Sequence, residues 1–137
     1  MKPKILFLCT GNSARSQMAE GFLRHMAGDR FEALSAGTEP TTLNPVAAEV
    51  MREAAIDISG QRSKSVAEFL GKPIQYVVTV CANAKEKCPI FPATFRVIHW
   101  DLEDPAAAEG SPEEKLAVFR NVRDQIRERI EREFGGL

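Results

Sequence analysis

The chain has 137 residues, a net charge of −1, 44% apolar and 27% charged side chains. That length fits a single domain, residues 1–137, with a core that stands without staples. The balanced charge excludes a global basic field for nucleic acid or for an anionic membrane surface.

The start, "MKPKILFLCT", has too short an apolar run for a signal peptide, and nowhere does the chain approach the ~20 apolar residues of a membrane span. The expected compartment is the cytoplasm. Lys4–Leu8 reads as a first buried strand, and Cys9 lies just past its end. A helix starts near Arg15; Met18, Phe22, Leu23 and Met26 share its apolar face, and Gly28 stops it. Phe31–Ala36 is a second strand. Asn44-Pro45 caps a second helix, whose apolar face carries Val46, Val50 and Met51 with Ala47 and Ala54. Gln75–Val80 is a third strand, with Cys81 just past its end. The polar stretch Ala82–Lys87 has room for a turn or two of helix, limited by Pro89 and Pro92. Arg96–Trp100 is a fourth strand. Leu116, Phe119, Val122, Ile126, Ile130 and Phe134 then mark a long amphipathic helix ending at Gly135-Gly136. Its charged outer face suggests a monomer. Strand and helix in alternation predict an α/β fold: a four-stranded parallel sheet with helices on both faces. Ligands of such sheets bind beyond the carboxyl ends of the strands, where Cys9 and Cys81 both lie.

The loop "CTGNSARS", residues 9–16, joins a strand to a helix start, which is an anion-binding arrangement. Gly11 can take a positive φ and Asn12 tolerates one, so the amides of Thr10, Gly11, Asn12, Ser13, Ala14 and Arg15 can converge on a single anion. The Arg15 fork matches a tetrahedral oxyanion. The same positive field is expected to lower the pKa of Cys9, with the Ser16 hydroxyl as a further donor to its thiolate. The bland alternative is a core cysteine near a surface arginine. The preceding strand, Gly11, Ser16 and the following amphipathic helix outweigh it.

Cys81 and Cys88 leave three readings open: buried structural thiols, a metal pair, or electron carriers. The C-x6-C spacing is not that of a zinc knuckle, and no matched second pair exists. On a helix the two thiols would stand ~10 Å apart along the axis, too far for a disulfide without unwinding. So short a helix unwinds cheaply. Among other candidates, Asp104 before Pro105 rivals Asp101 and Glu103 as an acid, His25 is a surface or boundary residue, and His99 and Trp100 read as core packing.

The C-x5-R-S loop after a first strand resembles the low-molecular-weight protein tyrosine phosphatases. The wording "CTGNSARSQMAEGF" is closer to the thioredoxin-coupled arsenate reductases built on that same fold. "SAG" at 35–37, "NP" at 44–45, "IDIS" at 56–59, "VVTVC" at 77–81, "CPI" at 88–90, "HW" at 99–100 and "DP" at 104–105 extend the resemblance through nearly the whole chain. It implies that the loop holds arsenate, with phosphate or sulfate as mimics. Cys9 is then the nucleophile, Asp104 the general acid, and Cys81 followed by Cys88 carries a redox disulfide to thioredoxin. The implied function is reduction of arsenate to arsenite in arsenic detoxification, with no tightly bound cofactor and no metal. An internal disulfide needs no glutathione adduct, which favours thioredoxin over glutaredoxin as donor. The alternative is a phosphatase of the same fold in which Cys81 and Cys88 are vestigial or protective. A non-enzymatic oxyanion or redox sensor is a third reading, and the acid at Asp104 argues against it. The phosphatases follow the Asp-Pro with tyrosine; Ala106–Ala108 stand there instead, which suits a small inorganic oxyanion better than a phenyl ring. Ala14 stands where both families often carry a further cysteine. Asn12, Glu20 and Ser35 match positions around a potassium ion in some of these reductases, but Arg62 and Lys64 replace two ligand positions. Two expectations remain open for Lys64: its ammonium replaces the ion, pairing with Glu20 and holding Asn12, or it is a solvated surface lysine.

Overall fold

Alternation along the first strand, β1 (Lys4–Cys9), creates two layers: Ile5, Phe7 and Cys9 enter one apolar cluster, Leu6 and Leu8 the other. The structure, a computed structural model, describes residues 2–136. β2 (Glu32–Gly37), β3 (Tyr76–Thr79) and β4 (Arg96–His99) complete a parallel sheet of order β2-β1-β3-β4. The chain leaves β1 to one side for β2 and returns past it to β3. The order therefore reverses between β1 and β3, and a crevice opens at their carboxyl ends.

On one face α1 (Arg15–Ala27) and α4 (Pro112–Phe134) pack together, with α2 (Pro45–Glu53) against both. They bury Phe7, Phe22, Trp100 and Phe134 around the larger core. Asn44 caps α2 by accepting the amides of Val46 and Ala47. A capping box of Ser111 and Glu114, with Pro112 at the first turn, starts α4. Glu53 at the end of α2 takes Arg120 and Arg123 of α4, fixing the two helices to each other.

The opposite face is thinner. A 3-10 turn at Val66–Phe69, the five-residue α3 (Ala82–Glu86) and Phe91 cover Leu6, Leu8 and Val77. The expected α/β architecture is the one that forms, with boundary differences. Cys9 is the last residue of β1 rather than the first after it, β2 lies one residue later than read, and β3 and β4 are shorter. Edge strand β4 is not buried on both faces: Val97 is 63% exposed, because the thin layer does not reach it. Among the described residues no helix is long and apolar enough to cross a membrane.

Candidate active site

Five consecutive carbonyls, from Cys9 to Ser13, are turned to one side of the loop and each accepts a hydrogen bond. The amides of Thr38, Glu39, Thr41 and Asn44, from the segment between β2 and α2, donate to the carbonyls of Cys9, Thr10, Gly11 and Ser13 at 2.9–3.1 Å. The Asn12 carbonyl accepts from Ser63 Oγ at 2.6 Å and Gln17 Nε2 at 3.0 Å. In a trans peptide the following N–H points opposite to the carbonyl, so the amides of Thr10 to Ala14 face the other way, into the cup. The Asn12 N–H donates to Cys9 Sγ at 3.0 Å. Ala14 caps α1 without a side-chain hydrogen bond, so the first turn of the helix adds amides to the same rim.

Asn12 holds the bend, at φ 49°. Its side chain accepts from the Lys64 backbone amide at 2.8 Å and Gln17 Nε2 at 3.2 Å, and donates to Ser16 Oγ at 2.7 Å. Gly11 does not take the positive φ expected of it. Its requirement is space: a Cβ there would stand 3.2 Å from Thr41 Oγ1. Gly37 is needed for the same reason, since its Cβ would meet the Thr10 carbonyl oxygen at 2.4 Å.

Cys9 is buried, with Ser16 Oγ 2.8 Å from its sulfur. Ser16 accepts the Asn12 amide, which leaves its own proton for the sulfur. Nevertheless burial pushes the Cys9 thiol above its ordinary value. The Ser16 hydroxyl, the Asn12 and Ser16 amides and, least, Arg15 pull it down without cancelling that rise. The lowered pKa read from the sequence is thus corrected. One end of the Arg15 fork is anchored to backbone: Nη1 donates to the Leu102 carbonyl at 3.0 Å and the Val80 carbonyl at 3.3 Å. Asp104 Oδ2 lies 3.9 Å from Arg15 Nη2, while Oδ1 caps the 3-10 turn Pro105–Ala107 through the Ala106 amide. Asp101 and Glu103 are exposed. Trp100 is fully buried against Phe7 and Phe134, and Tyr76 packs on Phe31, Phe95 and Phe134.

Cys81 is the N-cap of α3, its sulfur accepting the Ala84 amide at 3.3 Å. The same sulfur lies 3.3 Å from Thr10 Oγ1, on the residue next to Cys9. Cys88 follows the far end of α3, half-buried, and burial pushes its thiol up. All three cysteines are free thiols.

Glu20 is buried and anchors a second cluster. Ser35 Oγ donates to Oε1 at 2.6 Å, Lys64 Nζ stands 3.5 Å from Oε1, and Arg24 Nη2 donates to Oε2 at 2.6 Å. Lys64 is only 13% exposed, so it is not a solvated surface lysine. Its ammonium also donates to the Arg62 carbonyl at 2.9 Å. Asn12 is held by the Lys64 backbone amide, not by the ammonium as read from the sequence. Three donors already surround the carboxylate, so these residues do not fit a potassium ion. Gln17, Ser63, Arg24 and the segment 38–44 were missed in the sequence reading. Only "SAG" and "NP" flanking that segment pointed toward it. Over the cluster a surface cavity of about 450 Å³ opens, lined by Glu20, Arg24 and Lys64 with Asp57, Gln61 and Arg62. Its charges are largely paired, and no thiol lines it.

A buried thiol beneath an amide rim, with an arginine and an aspartate at the mouth of the first strand, defines a class. The chain belongs to the low molecular weight phosphotyrosine protein phosphatase family, whose profile matches residues 4–134. Within that family it is similar to arsenate reductases. It is 50% identical over 131 residues to the arsenate reductase of Shouchella clausii, covering 96% of this chain and 94% of that one. An arsenate reductase solved in a phosphate-binding state superposes with a TM-score of 0.81 at 36% identity, over 96% of this chain and 95% of that one. The thioredoxin-dependent arsenate reductase of Corynebacterium glutamicum gives a TM-score of 0.68 at 28% identity, covering 96% of this chain and 61% of that one.

Proposed function

We propose that the protein is an arsenate reductase that works by a three-thiol relay regenerated by thioredoxin. The observation that carries the relay is the contact between Thr10 Oγ1 and Cys81 Sγ at 3.3 Å, which sets a second thiol at the rim of the Cys9 cup. A phosphatase has no use for that thiol. The likeness to arsenate reductases, one of them thioredoxin-dependent, supports the same reading.

Arsenate enters the cup, its oxygens accepting from the amides of residues 10–14 and from Arg15. The Cys9 sulfur attacks arsenic and forms an S–As bond. One As–O bond breaks, Asp104 gives the departing oxygen its proton, and water leaves. Cys81 then attacks the Cys9 sulfur. The S–As bond breaks with its electron pair going to arsenic, As(V) becomes As(III), and arsenite departs from a Cys9–Cys81 disulfide. Cys88 attacks Cys81 and frees Cys9, leaving Cys81–Cys88 for thioredoxin. Free thiols in such a cycle require a reducing compartment, the cytoplasm. The Lys64 ammonium serves as a fixed counter-cation to Glu20 in place of a bound ion.

The family's phosphatase chemistry needs only Cys9, Arg15 and Asp104, so phosphomonoester hydrolysis is the second reading. One assay separates the two: NADPH consumption with thioredoxin, thioredoxin reductase and arsenate, beside hydrolysis of p-nitrophenyl phosphate. The reductase reading expects arsenate-dependent NADPH loss that requires all three cysteines. Hydrolysis indifferent to loss of Cys81 and Cys88, with no NADPH consumed, would overturn it.

A further inference from the structure

Asn83, in the first turn of α3, accepts two hydroxyl protons on one oxygen. Thr38 Oγ1 donates to Oδ1 at 3.0 Å and Thr10 Oγ1 at 3.3 Å. The two donors fill the two lone pairs of that oxygen. They tie α3 to the cup loop and to the segment after β2. Thr10 has one proton and also lies 3.3 Å from Cys81 Sγ. When the proton goes to Asn83, only the hydroxyl lone pairs face Cys81, and the S–H must be the donor. When Cys81 is a thiolate, the Thr10 proton must turn to sulfur and abandon Asn83.

We infer that Asn83 is a positioning residue that competes with Cys81 for the Thr10 proton. It thereby withholds the Thr10 hydroxyl donor from the Cys81 sulfur and keeps α3 docked until the relay calls on them. Turning the Thr10 proton to sulfur has two effects at once. It supplies Cys81 with a donor for the attacking thiolate, and it removes one of the two ties on α3. Asn83 then keeps only its Thr38 hydrogen bond, just when the exchange with Cys88 needs α3 to unwind. This rests on the relay in giving Cys81 a nucleophilic role.

The test labels the reduced full-length chain with iodoacetamide at neutral pH and reads each thiol by mass spectrometry. No oxyanion is present, so the outcome stands apart from that of the turnover assay. Asn83→Ala places a strong helix former in α3 and frees the Thr10 proton; Cys81 is expected to label about fivefold faster, the worth of one hydrogen bond. Adding Thr10→Val to Asn83→Ala should return the rate to the parent's or below it. Thr38→Val removes a tie without freeing the Thr10 proton, and its rate should match the parent's. Asn83→Asp keeps the acceptor and should label no faster than the parent. The inference is overturned if Asn83→Ala labels no faster than the parent, if the acceleration survives Thr10→Val, or if Thr38→Val accelerates as much as Asn83→Ala.

Discussion

The Ser16 hydroxyl stands 2.8 Å from the Cys9 sulfur and receives the Asn12 amide from behind. Its proton is therefore free to serve the Cys9 sulfur, whose burial opposes ionisation. Ser16→Ala should raise the Cys9 thiol further. Alkylation of Cys9 at neutral pH should slow about tenfold, the effect of losing one hydrogen bond to a charged sulfur. Melting temperature should change little by comparison, because the alanine still packs. A Cys9 labelling rate unchanged in Ser16→Ala would show that Ser16 gives sulfur no proton.

Cys9 also ties stability to alkaline pH. Its folded value lies above the ordinary thiol value of 9.0. Below that ordinary value both states hold the proton and the contribution is complete. As pH rises through it, the unfolded chain releases its proton first and binds fewer than the folded chain, so stability falls toward the folded value. Urea unfolding of the parent should weaken between neutral and strongly alkaline pH by more than unfolding of Cys9→Ala. Equal losses in the two proteins would refute the elevated Cys9 value.

The order of the thiols predicts where the relay stalls. Cys88→Ser should complete one arsenate reduction, release about one equivalent of arsenite and stop as a Cys9–Cys81 disulfide. Cys81→Ser should release none. Peptide mapping under acid quench distinguishes the trapped species. Sustained turnover by Cys88→Ser would rule out its place as the third thiol.

Lys64 and Arg24 together neutralise the buried Glu20 carboxylate. Lys64→Met leaves half of that compensation and should cost about 2 kcal/mol of stability, below the range for fully breaking a buried pair because Arg24 remains. If the ammonium takes the place of an ion, potassium and sodium chloride at equal ionic strength should give the parent the same melting temperature and turnover. A strong rise with potassium alone would remove Lys64 from that role.

Much of this was legible in the sequence because it depends on period and punctuation. The run Ile5–Leu8, the Cys9–Ser16 loop and the apolar stripe from Leu116 to Phe134 each carry their own geometry. The long-range partners of the loop carry no such local signal. Nothing in "GTEPTTLN" announces that its amides meet the carbonyls of residues 9–11 and 13, since that pairing is set by β2 lying beside β1. The depth of Cys9 likewise follows from packing on both sides of the sheet, and so the sign of its shift was misread. Lys64 was singled out correctly as a partner of Glu20, but Arg24, one turn along α1, competes for the same carboxylate. For Val97, an apolar β-branched run gives no hint that the covering layer ends before the sheet does.

The strap formed by residues 38–44 has a consequence for how an anion would be met. The peptide dipoles of the cup are aimed during folding, by hydrogen bonds on the face away from the ligand. An arriving oxyanion need not reorganise them, and the work of orientation is not repeated at each turnover. A substitution in this outer segment, touching neither sulfur nor substrate, would then act as an active-site mutation by letting the dipoles wander.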